Sequence, residues 1–142
     1  MFGFFLVILV VYFQLKSKEE IPEQPMVPSI TPVQFQLKSA FPSQEKQKMA
    51  NPKIALQFKF SEPIDLSSIK CEINPSIFVD YSTNEFEDIL YITPKDQWSY
   101  NKQYKILLDI NSANEQPLAT PVKHSFEFTP FASSPLQDDF IH

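Results

Sequence analysis

The sequence predicts an all-β sandwich of about seven strands, and three observations carry that prediction. Between Val33 and Pro130, apolar side chains recur with a period of two rather than 3.6. No helical window of about ten residues or more interrupts them. Prolines and asparagines punctuate the alternating runs at short intervals, as turn residues do between the strands of a sandwich.

The runs follow in order. Val33, Phe35 and Leu37 alternate with Gln34, Gln36 and Lys38, the pattern of a half-buried strand. Lys53–Phe60 repeats it more strongly, with Ile54, Leu56, Phe58 and Phe60 on one face and Ala55, Gln57 and Lys59 on the other. Ser61-Glu62-Pro63 ends that run, since proline has no N–H to give to a ladder. Asp65 precedes Leu66-Ser67-Ser68-Ile69, where its carboxylate is suited to cap one helical turn. Ile69, Cys71 and Ile73 alternate before Asn74-Pro75, and Ile77–Tyr81 and Ile89–Thr93 are β-rich runs separated by a polar connection. Pro94 closes the second of these. Tyr104–Ile110 puts Tyr104, Ile106, Leu108 and Ile110 on one face, and Lys123–Thr129 aligns His124, Phe126 and Phe128. The chain's one glycine is Gly3, outside all of this. The left-handed turn positions are therefore expected at Asn84, Asn101, Asn111 and Asn114, because Asn tolerates positive φ better than other non-glycine residues.

The flanks differ in character. Phe2–Phe13 is uninterrupted apolar sequence. As a helix, Met1–Leu15 spans about 22 Å against about 30 Å of hydrocarbon. No Lys or Arg precedes it, and no small-residue cleavage site follows. Residues 1–16 are expected to form a short, uncleaved hydrophobic helix that anchors the chain in a membrane. Ser17–Pro32 carries Pro22, Pro25, Pro28 and Pro32, a spacing that blocks helix and favours polyproline II. Residues 17–32 thus read as a stiff linker of up to about 50 Å. Residues 33–130 form the domain, and 131–142 a flexible tail.

Composition narrows the chemistry. Among 142 residues there are 13 Pro, one Gly and no Arg. Sites built on glycine-rich phosphate loops or glycine-bordered nucleophile turns are excluded, and the planar fork that grips carboxylates and phosphates is missing. A net charge of −5 disfavours nucleic acid as a partner. Cys71 is the single cysteine, so no intramolecular disulfide forms. Cys71 with His124 is the most reactive pair available, but both lie in phase with core residues and are expected to pack. Two histidines, His124 and His142, and one cysteine show no zinc-ligand spacing. Glu62 with Asp65, Glu85 with Glu87 and Asp88, and Asp138-Asp139 offer oxygens of the kind calcium takes, without an Asp-x-Asp loop. They are expected to be solvated. Trp98 is expected to cover the end of the sandwich rather than bind sugar. Tyr104 is placed either for a tyrosine corner or for simple core packing. No catalytic, cofactor-binding or metal residue is assigned.

Several motifs of the domain occur together elsewhere. They are Ser39-Ala40-Phe41-Pro42, Phe60-Ser61-Glu62-Pro63-Ile64-Asp65, Leu90-Tyr91-Ile92-Thr93-Pro94, Tyr104-Lys105-Ile106-Leu107-Leu108 and Phe126-Glu127-Phe128-Thr129. In this order, Val33–Pro130 resembles a bacterial Ig-like domain of the S-layer (SbsA) type. That family usually has glycines where Asn101-Lys102-Gln103 and Ala113–Pro117 stand here. The resemblance implies an immunoglobulin-like Greek-key sandwich on the extracytoplasmic side, at the cell surface. Together with the apolar N-terminus, it implies a non-enzymatic, membrane-anchored module with a structural, adhesive or protein-interaction role. A protein partner would bind through a sheet edge or end loops, and no cofactor is needed. The alternative is an accessory or ligand-binding subunit, taking calcium or carbohydrate, within a larger envelope protein or enzyme.

Overall fold

The computed structural model describes residues 25–132 except Val27 and Ile30. The expected anchor helix (1–16), the first part of the linker and all but the start of the tail lie outside the described residues. Pro25, Met26, Pro28 and Ser29 of the linker are exposed and carry no helix or strand. Among the described residues no helix is long and apolar enough to cross a membrane. The described residues from Val33 onward form one compact unit.

Among the described residues eight strands form: β1 (Leu37–Phe41), β2 (Lys46–Lys48), β3 (Leu56–Phe60), β4 (Lys70–Asn74), β5 (Val79–Thr83), β6 (Ile89–Pro94), β7 (Gln103–Asp109) and β8 (Val122–Thr129). They make two four-stranded sheets, in the orders β1-β3-β6-β5 and β2-β8-β7-β4. All pairs are antiparallel except β2 with β8, which is parallel. The β5–β6 and β7–β8 connections are hairpins, while β3–β4, β4–β5 and β6–β7 cross between sheets. This is the immunoglobulin-like Greek-key arrangement, with the first strand split so that β1 edges one sheet and β2 the other.

Period-two patterning builds the core. Leu56, Phe58 and Phe60 of β3 and Leu90 and Ile92 of β6 are buried, as are Tyr104, Ile106 and Leu108 of β7 and Val122, Phe126 and Phe128 of β8. The intervening residues Gln57, Lys59, Lys105 and Lys123 are exposed. Each large apolar side chain so buried contributes about 1.5–3 kcal/mol relative to exposure. Prolines sit at the boundaries: Pro42 follows β1, Pro75 follows β4, Pro94 is the last residue of β6, and Pro130 follows β8. Asp65 caps one turn of 3-10 helix (Leu66–Ser68), its Oδ1 accepting the Ser67 N–H at 2.9 Å.

The structure shifts two strand bounds by two or three residues, β3 beginning at Leu56 and β5 running Val79–Thr83, and departs further from the pattern reading in three places. Val33–Gln36 is not a ladder strand. Phe35 is buried and stacks on Phe60 at 5.4 Å, but the neighbouring carbonyls serve loops: Phe35 accepts from Ala119 N and Gln36 from Ser61 N, both at 2.9 Å. Pairing with β3 begins at Leu37, with a register shift before Ser39. Strand β2 is the eighth strand. Lys-Gln-Lys shows no alternation, and it joins the sheet through backbone pairing with β8. Finally, among the described residues positive φ occurs at Glu87 (57°), Asn101 (56°) and Glu115 (62°). Only Asn101 takes the expected role; Asn84, Asn111 and Asn114 do not. Asn84 instead closes its hairpin by side chain, its Oδ1 accepting Ile89 N and its Nδ2 donating to Asp88. The left-handed residue falls three positions on, at Glu87.

Candidate functional site

The side chains that first suggest chemistry are consumed by the core. Trp98 is fully buried, its indole N–H donating to the Ile54 carbonyl at 2.9 Å, and its ring meets those of Tyr104 and Phe126 edge-on at 5.2 Å each. It therefore has no free face for a sugar, and the carbohydrate alternative through Trp98 falls. Tyr104, the second residue of β7, is 2% exposed and accepts the Ser99 N–H on its hydroxyl at 3.1 Å. That is a tyrosine corner, a buried ring whose polar end fastens the preceding connection.

Cys71 and His124 do not meet. Cys71 on β4 stands opposite Leu108 of β7, whereas His124 on β8 stands opposite Ile106. With β7 between them and a two-residue offset, their backbones are separated by roughly 10 Å or more. Burial pushes the Cys71 thiol up, against a hydrogen-bonding contact with Tyr81 that pulls it down. Burial and the same contact push the Tyr81 hydroxyl up as well. His124 is wedged edge-on against Phe58 at 5.5 Å and alongside Phe126 at 6.2 Å. Its Nε2 is buried without a hydrogen-bond partner. Burial lowers its pKa, opposed by the Pro42 carbonyl. A neutral imidazole in an aromatic pocket and a half-buried thiol far from it make no nucleophile–base pair.

Glu62, Asp65, Glu85, Glu87 and Asp88 lie in connections at one end. The β3–β4, β5–β6 and β7–β8 connections are stitched together: Ile64 N donates to the Glu87 carbonyl at 2.8 Å, Asp65 N to Asn111 at 3.0 Å, and Ala113 N to Pro63 at 2.8 Å. A cleft of about 290 Å³ lies among Ile64, Asp65, Leu66, Thr83, Glu87 and Ala113. Its Asp65 carboxylate is already engaged by the Ser67 N–H and hydroxyl, and Asp88 pairs with Lys59 at 3.9 Å. Among the described residues no three His, Cys, Asp or Glu side chains converge as metal ligands would. Asp138, Asp139 and His142 lie outside the described residues. At the tip of the β5–β6 hairpin, between Glu85 and Glu87, Phe86 is 75% exposed.

The surface with most capacity for binding is the outer face of the β2-β8-β7-β4 sheet. Leu107 points outward there and is 42% exposed. It stands opposite Glu72 on β4 and Lys123 on β8, and Lys105 lies two residues before it on the same strand. These residues, with Asn74 and Ser125, line an open groove of about 400 Å³. The face carries Lys46, Lys48, Lys70, Lys105 and Lys123 against Glu72, Asp109 and Glu127, so it is positive on a chain that is negative overall. The pattern reading misses it, although one signal is present. In Tyr104–Ile110, Leu107 is an apolar residue in the polar phase. The same mismatch marks Phe86, an aromatic residue inside a charged turn.

The fold has counterparts among solved structures. The structure is similar to CopC from Methylosinus trichosporium OB3b, at 12% identity and a TM-score of 0.55, over 70% of this chain and 98% of that one. It is also similar to domains 1–6 of the surface layer protein SbsC, at 10% identity and a TM-score of 0.49, over 69% of this chain and 14% of that one. Comparison of the sequence with curated proteins gives no match. The family described as bacterial Ig-like domain matches residues 28–129, spanning all eight strands. The chain belongs to the bacterial Ig-like domain family.

Proposed function

We propose that this chain is a non-enzymatic, extracytoplasmic Ig-like module, held at the membrane by residues 1–16 and acting in protein interaction at the cell surface. The observation that supports the interaction role is the groove around Leu107. A half-exposed leucine ringed by Lys105, Lys123 and Glu72 on a rigid sheet is a surface suited to contact. The edges suit it less. Edge strands β4 and β5 carry the exposed charges Lys70, Glu72 and Asp80, which discourage addition of a further strand. Cys71, His124, Trp98 and Tyr104 all serve packing, so the binding chemistry resides outside the core.

The test uses intact cells expressing the full chain. A membrane-impermeant amine reagent is expected to label the exposed Lys53 and Lys95, which lie away from the groove, and the protein is expected to stay with membranes through a high-salt wash. Release into the soluble fraction would overturn the anchor, and protection of both lysines until the cells are lysed would overturn the outward placement.

A further inference from the structure

We propose that the Leu107 groove receives the β5–β6 hairpin tip of a second copy of this chain, so that copies associate head to face. This rests on the reading of the groove as an interaction surface and names its partner. The two surfaces are opposite in sign, and one protrudes where the other is a groove. The tip is a protruding apolar knob, Phe86 at 75% exposure, with Glu85 and Glu87 on either side of it. The groove is an open site of about 400 Å³ lined by half-exposed Leu107 together with Lys105 and Lys123. The one carboxylate there, Glu72, faces Leu107 from the β4 side, which directs an acidic visitor toward the β8 side.

The charge asymmetry extends beyond these side chains. The three connections at the tip's end of the sandwich, residues 61–69, 84–88 and 110–121, contain no lysine, whereas the groove's face holds five lysines against three carboxylates. Opposite potentials on two patches steer association and set orientation. The tip belongs to the β1-β3-β6-β5 sheet and the groove to the outside of the other sheet. A rigid sandwich cannot close that contact within one molecule. The contact is heterologous, leaving a free tip on one copy and a free groove on the other, and such contacts grow into rings or open chains.

The experiment mixes unlabelled and nitrogen-15-labelled full-length chain in mild detergent and applies a carbodiimide, which joins carboxylates to amines in contact. Isopeptide bonds from Glu85 or Glu87 of one isotopic copy to Lys105 or Lys123 of the other are expected. Phe86→Ala, at an exposed position, is expected to reduce them about tenfold or more, as is raising salt to about 0.5 M. Glu85→Lys/Glu87→Lys chain mixed with Lys105→Glu/Lys123→Glu chain is expected to restore the cross-links that either variant loses alone. Absence of mixed-isotope links at these residues overturns the proposal, and so do links to the same lysines from Asp138 or Asp139 of the same copy. If Lys105 and Lys123 cross-link on cells only to a different protein, the second-copy proposal falls while the interaction reading above stands.

Discussion

The Tyr104 hydroxyl accepts the Ser99 N–H at 3.1 Å, fastening the β6–β7 crossing to the first residues of β7. The ring is also stacked on Phe126 at 5.3 Å, so the side chain holds both a connection and the core. The two roles separate by mutation. Tyr104→Phe keeps the ring and is expected to cost about 1 kcal/mol, the net worth of one hydrogen bond. Tyr104→Ala removes both and is expected to cost about 3–5 kcal/mol. Urea unfolding measures each, and an unchanged midpoint for Tyr104→Phe would show that the corner adds nothing net.

Trp98 is the only tryptophan, and it is fully buried. Its fluorescence is expected to be blue-shifted and shielded from acrylamide in the native protein, then to shift red on unfolding. Titration with cell-wall oligosaccharides should leave the emission unchanged. A saturable change with sugar would restore the carbohydrate reading that the burial of Trp98 removes.

His124 should make stability depend on pH. Its folded pKa lies below the ordinary value of 6.5 because burial disfavours the imidazolium. Between 6.5 and that lowered value the unfolded chain binds more protons than the folded one, so stability rises with pH there. The contribution of His124 is expected to be flat above about pH 6.5 and to fall as the pH drops below it. His124→Leu, placed between Phe58 and Phe126, should flatten the curve from pH 7 to about 5. A slope that survives this substitution would assign the effect elsewhere.

Glu115 holds a left-handed conformation, φ 62°, in the β7–β8 connection. For a residue with an ordinary Cβ this region costs roughly 1–2 kcal/mol, and Asn occupies it more readily. Glu115→Asn is expected to raise stability by about 0.5 kcal/mol, and Asn101→Ala, at φ 56°, to lower it by about 1 kcal/mol. Thermal unfolding of the two variants checks both signs.

Much of this protein is written locally. Strands β3, β6, β7 and β8 follow from alternation alone, because strand geometry sends successive side chains to opposite faces whatever the partner. Prolines mark strand ends for an equally local reason, the missing N–H, and Asp65 caps its turn through atoms two residues away. Strand β2 is not legible in this way. Lys46-Gln47-Lys48 has no periodicity, and its place depends on the exposed backbone of β8, more than seventy residues later. Phe35 reads correctly as buried but wrongly as laddered, since periodicity reports burial and not which carbonyl meets which N–H.

The candidate surfaces show the same division. Leu107 and Phe86 each break the local pattern, so the sequence by itself marks them as apolar residues among charges. Only the tertiary structure places Leu107 between Lys105 and Lys123 on one face and Phe86 at an acidic end belonging to the opposite sheet. It likewise separates Cys71 from His124, two residues that share an inward phase but lie on strands divided by β7. Period two determines whether a side chain faces in or out. Strand order and register decide what it faces, and those depend on pairings between segments far apart in the chain.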